Sequence, residues 1–183
     1  MPIALNFRRP LPGAAIGRSA RVRTALPALV ATALLAGCQS YSPAGISPGA
    51  PASTVRDRMG APTATWPLPD GGVRYEYARG PFGKHTYMVA FDSAGKMTGY
   101  DQVLTENNFA TIHEGMSRDQ VLRAIGHPSD VKTLGWQKRT LWSYRYDATF
   151  CLWYQVSFNT QWDVVDTGYG PDPLCDTGEK TRP

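Results

Sequence analysis

The feature that most constrains this chain is that it repeats itself. Gly49, Val55 and Met59-Gly60-Ala61-Pro62 return as Gly115, Val121 and Ile125-Gly126-His127-Pro128, each offset by 66 residues. Further on, Tyr75-Glu76-Tyr77 returns as Trp142-Ser143-Tyr144. Tyr87-Met88-Val89-Ala90-Phe91-Asp92 returns as Tyr154-Gln155-Val156-Ser157-Phe158-Asn159, both now offset by 67. One residue inserted between the helix and the first strand explains the change. A collinear series of this length points to two copies of one supersecondary unit. The segment that carries them, about 120 residues ending near Asp172, suffices for one domain or two very small ones.

Each copy has the same local grammar. Ser117-Arg118-Asp119-Gln120 is a capping-box pattern, in which the serine hydroxyl accepts from the third backbone N–H and the glutamine reaches back. Val121, Leu122 and Ile125 then form one apolar stripe at helical spacing. Gly126 and Pro128 stop the helix. In the first copy Pro51 suits a first turn, Val55 and Met59 form the stripe, and Gly60 with Pro62 makes the stop. Phe109 and Ile112 predict a further short helix over 106–112, whereas the matching stretch 41–46 contains Pro43 and Gly45 and predicts a lost one. Strands are expected at 73–77, 85–91 and 96–103, then at 140–146, 152–158 and 164–168. Asp92-Ser93-Ala94-Gly95 supplies turn chemistry between two of them. The expected fold class is α+β: two tandem units, each of one or two helices packed on a three-stranded antiparallel meander.

The N-terminal stretch has a different character. Its first 37 residues carry five arginines and no acid: the stretch up to Thr24 is basic, and an apolar run follows from Ala25 to Leu35. A basic segment, a short apolar run and small residues before a cut describe a secretory signal. The run is too short to span a bilayer as a stable helix. Taking those five charges from the net +4 leaves −1 for the rest, so no basic footprint for nucleic acid remains. Leu35-Ala36-Gly37-Cys38 resembles a lipobox, the signal read by lipoprotein-processing enzymes. The resemblance implies a diacylglyceryl thioether on Cys38, cleavage before it and acylation of the new amino group, which together anchor a chain stably. The alternative is an ordinary signal with a chance cysteine. Gln39, in place of the aspartate that marks inner-membrane retention, implies the outer membrane. The expected organisation is therefore a signal peptide at 1–37, a flexible tether at 38–48, repeat 1 at 49–104, repeat 2 at 105–172 and a tail at 173–183. With Cys38 lipidated in an oxidising compartment, Cys151 and Cys175 are expected to pair as a disulfide, two free thiols being the alternative.

The second copy also carries a family resemblance. Phe109-Ala110-Thr111-Ile112-His113-Glu114-Gly115-Met116-Ser117, then Val121, then Ile125-Gly126-His127-Pro128, are similar to the opening of the SmpA/OmlA (BamE-like) domain of outer-membrane lipoproteins. Copy two matches over about 105–170 and copy one, more loosely, over about 48–104. The resemblance implies two helices on a three-stranded sheet, a periplasm-facing position and no enzymatic activity. It implies partners among envelope proteins such as the β-barrel assembly machine, with anionic phospholipid as a further ligand. No partner-binding residue carries over, because the family's binding segments have no recognisable counterpart here. Two tandem copies also resemble secreted β-lactamase inhibitory proteins, which implies the alternative of an inhibitor of an envelope enzyme.

No residue set announces catalysis, a metal or a cofactor. His85, His113 and His127 do not pair with other ligand types at metal-site spacing. Ser117 lies in no nucleophile elbow. Asp163 and Asp166 flank a strand turn, where solvated acids are ordinary. Gly80-Pro81-Phe82-Gly83 and Gly168-Tyr169-Gly170-Pro171 run into no helix, so they are no phosphate cradle. The aromatic residues of copy two are more informative. Alternation turns Leu152, Tyr154, Val156 and Phe158 to the core and Trp153, Gln155 and Ser157 the other way. Trp153 and Gln155 are thus the candidate interaction surface. The competing expectation is that the two copies pack together and bury that face.

Overall fold

The structure, a computed structural model, describes residues 41–175. The expected signal, Cys38, Gln39 and the last eight residues of the expected tail lie outside the described residues. Three short α-helices and eight strands are present in the described part: α1 (Ala52–Met59), β1 (Ala64–Pro67), β2 (Val73–Ala78), β3 (Thr86–Phe91), β4 (Met97–Gln102), α2 (Glu106–Phe109), α3 (Arg118–Ile125), β5 (Asp130–Leu134), β6 (Arg139–Arg145), β7 (Leu152–Phe158) and β8 (Val164–Pro171). The strands form two four-stranded antiparallel sheets, ordered β1-β2-β3-β4 and β5-β6-β7-β8.

This corrects the expected fold class. The fold is mostly β, and neither unit is a BamE-like α+β arrangement on a three-stranded meander. The additional strand in each copy, β1 or β5, begins soon after the helix stop. β1 reads Ala-Thr-Trp-Pro and β5 reads Asp-Val-Lys-Thr-Leu, and both lie at sheet edges. Four of the five β5 residues are exposed, so no buried face imposes the alternation that betrays a strand. Pro67 is tolerated because an edge strand has a side without ladder partners.

The repeat extends to backbone detail. Gly49 and Met97 exchange bonds with the opposite strand (Gly49 N–H to Met97 O 2.7 Å, Met97 N–H to Ala50 O 2.8 Å), as Gly115 and Val164 do (2.8 Å each, the second to Met116 O). The β3–β4 ladder slips between Ala90 and Phe91, and the β7–β8 ladder between Ser157 and Phe158. Gly95 and Trp162, at corresponding turn positions, both have positive φ. α3 starts with the full capping box, Ser117 and Gln120 bonding each other's backbone N–H.

Each sheet holds a helix against one face. In copy one Val55 and Met59 pack with Tyr77, Val89, Phe91 and Met97. In copy two Val121, Leu122 and Ile125 pack with Trp142, Tyr144, Tyr154, Val156 and Phe158. Residues 41–50, expected partly as tether, run along copy one. Ile46 is buried in the position that Ile112 holds in copy two, and the Tyr41 hydroxyl donates to the His85 carbonyl. Pro43, also buried, takes the place of Phe109. The helix expected to be lost is absent, while its two apolar anchors persist on a turn.

Candidate interaction surface

The two copies meet through the far face of the first sheet, the side turned away from α1. Trp66, Arg74, Glu76 and Thr86 lie there and receive the C-terminal end of α3. Arg74 donates to the carbonyl of Arg123, a last-turn oxygen with no helical partner of its own. Its positive charge also suits the negative end of the helix. Glu76, fully buried, accepts the His127 backbone N–H at 2.7 Å and the Trp66 indole N–H at 3.2 Å. The His127 ring contributes Nδ1 at 2.8 Å from the same carboxylate. Trp66 stacks on that ring, with the Arg123 guanidinium over its indole. Gly126 has φ +79°, and a Cβ there would lie 2.9 Å from Glu76 Oε1 and from Thr86 Cγ2. Only glycine lets the stop loop approach so closely. Burial raises the pKa of the Tyr144 phenol, and the neighbouring Glu76 carboxylate raises it further.

The same face of the second sheet is not filled by the other copy. By the offset of 67, Trp153 corresponds to Thr86, Gln155 to Met88, and Ser143 to Glu76. Thr86 and Met88 are buried at 2% and 1% exposure. Trp153 and Gln155 keep part of their surface in solvent. The two copies therefore pack together, but the face they bury belongs to the first sheet, so the competing expectation for Trp153 holds for its counterpart in copy one. Gly168 and Gly170 stand opposite Gln155 and Trp153 across the β7–β8 ladder. At Gly170 the Gln155 amide fills the space, its Oε1 2.8 Å from where a Cβ would lie; Gly168, where a Cβ would meet nothing within 4 Å, floors a hollow of about 210 Å³ lined by Leu141, Gln155, Ser157, Asp166, Thr167 and Tyr169.

Polar pairing stiffens this face. The Gln155 amide donates to the Ser143 hydroxyl at 3.1 Å. The Arg145 guanidinium lies over the Trp153 indole, 5.3 Å from the ring, and forks onto Asp172, with Nη2 at 2.7 Å from Oδ1 and Nε on Oδ2. Both charges are buried. The Arg145 hydrogen bonds hold the Asp172 carboxyl below the usual aspartate range, against the opposing effect of burial. Asp172 is held in place by the disulfide that follows: Cys151 and Cys175 are joined, with Cα atoms 6.0 Å apart, and Asp172 N–H donates to the Cys151 carbonyl at 3.0 Å.

The remaining sequence candidates are dispersed. His85 bonds Asp147 at 2.9 Å, His113 lies beside the Glu114 carbonyl, and His127 belongs to the junction. Ser117 caps α3. Among the described residues no group of three or more His, Cys, Asp or Glu side chains could hold a metal ion. Sequence reasoning missed Glu76 and Arg145. Their partners lie 51 and 27 residues away, beyond any local pattern. The one signal was a charged side chain, Glu76 or Arg145, among the aromatic residues of β2 and β6.

No family model and no curated protein matches this chain. Among solved structures, an extracellular protein containing a SCP domain from Bacillus anthracis str. Ames is similar to it at 12% identity and a TM-score of 0.30, with 86% of this chain and 50% of that one covered. The chain thus spans half the length of that protein, and so slight a likeness bears on neither fold nor function.

Proposed function

We propose that this protein is a lipoprotein of the bacterial outer membrane, anchored through Cys38, whose folded part is a non-enzymatic binding module for an envelope protein. The lipobox-like Leu35-Ala36-Gly37-Cys38, the basic and apolar stretch before it and Gln39 after it support the anchor. The observation that carries the binding role is the inequality of two equivalent faces. The first sheet uses its far face to hold the helix stop of copy two; among the described residues the second sheet leaves that face open around Gln155, with Trp153 at one end of it.

A sheet face left in water needs polar side chains to stay soluble. Asp130, Lys132 and Asp166, exposed and paired in register with Ser143, Leu141 and Ser157, meet that need. A tryptophan does not serve it, and tryptophan beside arginine is the composition of binding hot spots. The resemblance of residues 109–128 to the SmpA/OmlA opening favours a partner in outer-membrane or barrel-protein assembly; it rests on those residues and not on the architecture.

The test is affinity recovery of the full chain from its own membranes, comparing the wild type with Trp153→Ala and with Asp57→Ala on the exposed side of α1. The expected result is acylated Cys38 and one envelope protein recovered with wild type and Asp57→Ala but reduced at least tenfold with Trp153→Ala. Equal recovery by all three would overturn the assignment of the face. An unmodified Cys38 would overturn the anchor. A recovered enzyme that the protein inhibits would turn the reading to an inhibitor.

A further inference from the structure

A second cluster of apolar side chains lies where the lipid anchor would enter the fold. Phe82, Phe150 and Leu174 are 73%, 78% and 55% exposed. They come from three separate segments. Phe82 ends the 3-10 turn Gly80–Phe82, Phe150 lies between β6 and β7, and Leu174 lies in the 3-10 turn Pro173–Cys175. The structure nevertheless gathers them. Phe82 and Leu174 line one hollow of about 300 Å³ together with Pro81, Pro173 and Trp153. Phe150 and Leu174 are the immediate neighbours of Cys151 and Cys175, which the disulfide joins. Large side chains held in solvent by a covalent clamp are an apolar patch with a purpose.

The position of the patch says what covers it. The Arg79 guanidinium, three residues before Phe82, lies 4.1 Å over the Tyr41 ring, and the Tyr41 hydroxyl bonds the His85 carbonyl just beyond Phe82. Three Cα–Cα steps, at most about 11 Å, separate Tyr41 from Cys38. Acyl chains on Cys38 therefore put a bilayer within reach of this end. The contrast is Trp136, 99% exposed at the tip of the β5–β6 hairpin. It lies at the opposite end of β6 from Arg145, roughly 20 Å away along the seven-residue strand. Arg79 and Lys84 stand beside Phe82 in the chain, with Lys84 paired to Asp147 at 3.5 Å. Aromatic and aliphatic tips with long cationic stems around them suit the boundary between headgroups and acyl chains.

We infer that Phe82, Phe150 and Leu174 form a bilayer-docking patch that lies in the interface of the membrane holding the Cys38 lipid and fixes the domain's orientation there. The inference rests on the anchor proposed above. It leaves the hollow beside Gln155 and Gly168 free for a protein partner, with Trp153 at the border between the two.

The test uses the lipidated protein in phosphatidylethanolamine–phosphatidylglycerol vesicles. A single cysteine replaces Phe82, Phe150 or Trp136 and carries an environment-sensitive dye, the native cysteines being blocked by lipid and by the disulfide. A quencher is attached to the acyl chains of the vesicle lipid. The expected result is a blue-shifted dye at Phe82→Cys and Phe150→Cys, quenched at least twofold, with a water-exposed and unquenched dye at Trp136→Cys. Protein that carries acyl mass and floats with the vesicles, yet leaves the dyes at 82 and 150 in water, would overturn the patch while leaving the anchor standing. Protein without acyl mass would overturn both. A blue shift that appears only on adding envelope protein, with no quenching by lipid, would assign the patch to a protein instead.

Discussion

Glu76 is the residue on which the contact between the copies turns. A carboxylate removed from water is costly unless its lone pairs are filled. Here the His127 backbone N–H and the Trp66 indole N–H donate to it, with the His127 ring Nδ1 at 2.8 Å. Gly126 sets the distance. Gly126→Ala places a β-carbon against Glu76 and Thr86 and forces a side chain into positive φ. It should lower the unfolding free energy by about 2–4 kcal/mol, read from a denaturant titration. Asp172 makes a different prediction. Its folded pKa is depressed by Arg145, so its contribution to stability is present above the unfolded value near 4 and lost as pH falls through the lower folded value. Asp172→Asn should be less stable than wild type at pH 7, and the gap should narrow on acidification below about pH 4. Of these residues, the glycine was legible as a helix stop. His127 was legible only as a turn residue. That it would face a carboxylate 51 residues earlier is a property of the assembled sheets.

At the scale of elements, what could be read and what could not divide by burial. Both principal helices, α1 and α3, carry periodic apolar stripes and glycine stops, and the four central strands β2, β3, β6 and β7 carry alternating aromatic residues. These patterns exist because one side of each element is buried. β1 and β5 are edge strands with little buried surface, so nothing in their composition separates them from loop. Their omission turned a four-stranded sheet into an expected three-stranded one. Residues 41–50 show the converse. Pro43 and Gly45 correctly marked a lost helix, but Ile46 keeps the segment packed, so the composition of a linker concealed a docked chain. The disulfide is an element in the same sense. It closes a segment with 24 residues of separation and holds the second 3-10 turn on Arg145. Reduction, or the double change Cys151→Ala with Cys175→Ala, should cost about 3 kcal/mol, measured as a fall in the denaturation midpoint. It should also weaken the Arg145–Asp172 pair, so the low-pH dependence above should flatten in the reduced protein.

At the scale of the whole folded part, the repeat explains why one face is open. A unit built to be stacked offers a far face to its successor. Copy one has a successor, and its face holds Glu76, a partner for the arriving helix stop. On the second sheet Ser143 stands at the same position, under Gln155. Among the described residues, the chain beyond β8 closes only the Arg145 end of that face, leaving the hollow floored by Gly168 beside Gln155. A photoreactive side chain placed at Gln155, and separately at Asp57 on the solvent side of α1, tests the central claim most directly when the full-length protein is irradiated in its own membranes. The account predicts an intermolecular adduct to one envelope protein from position 155 and none from position 57. No adduct from position 155, or the same adducts from both, would contradict it.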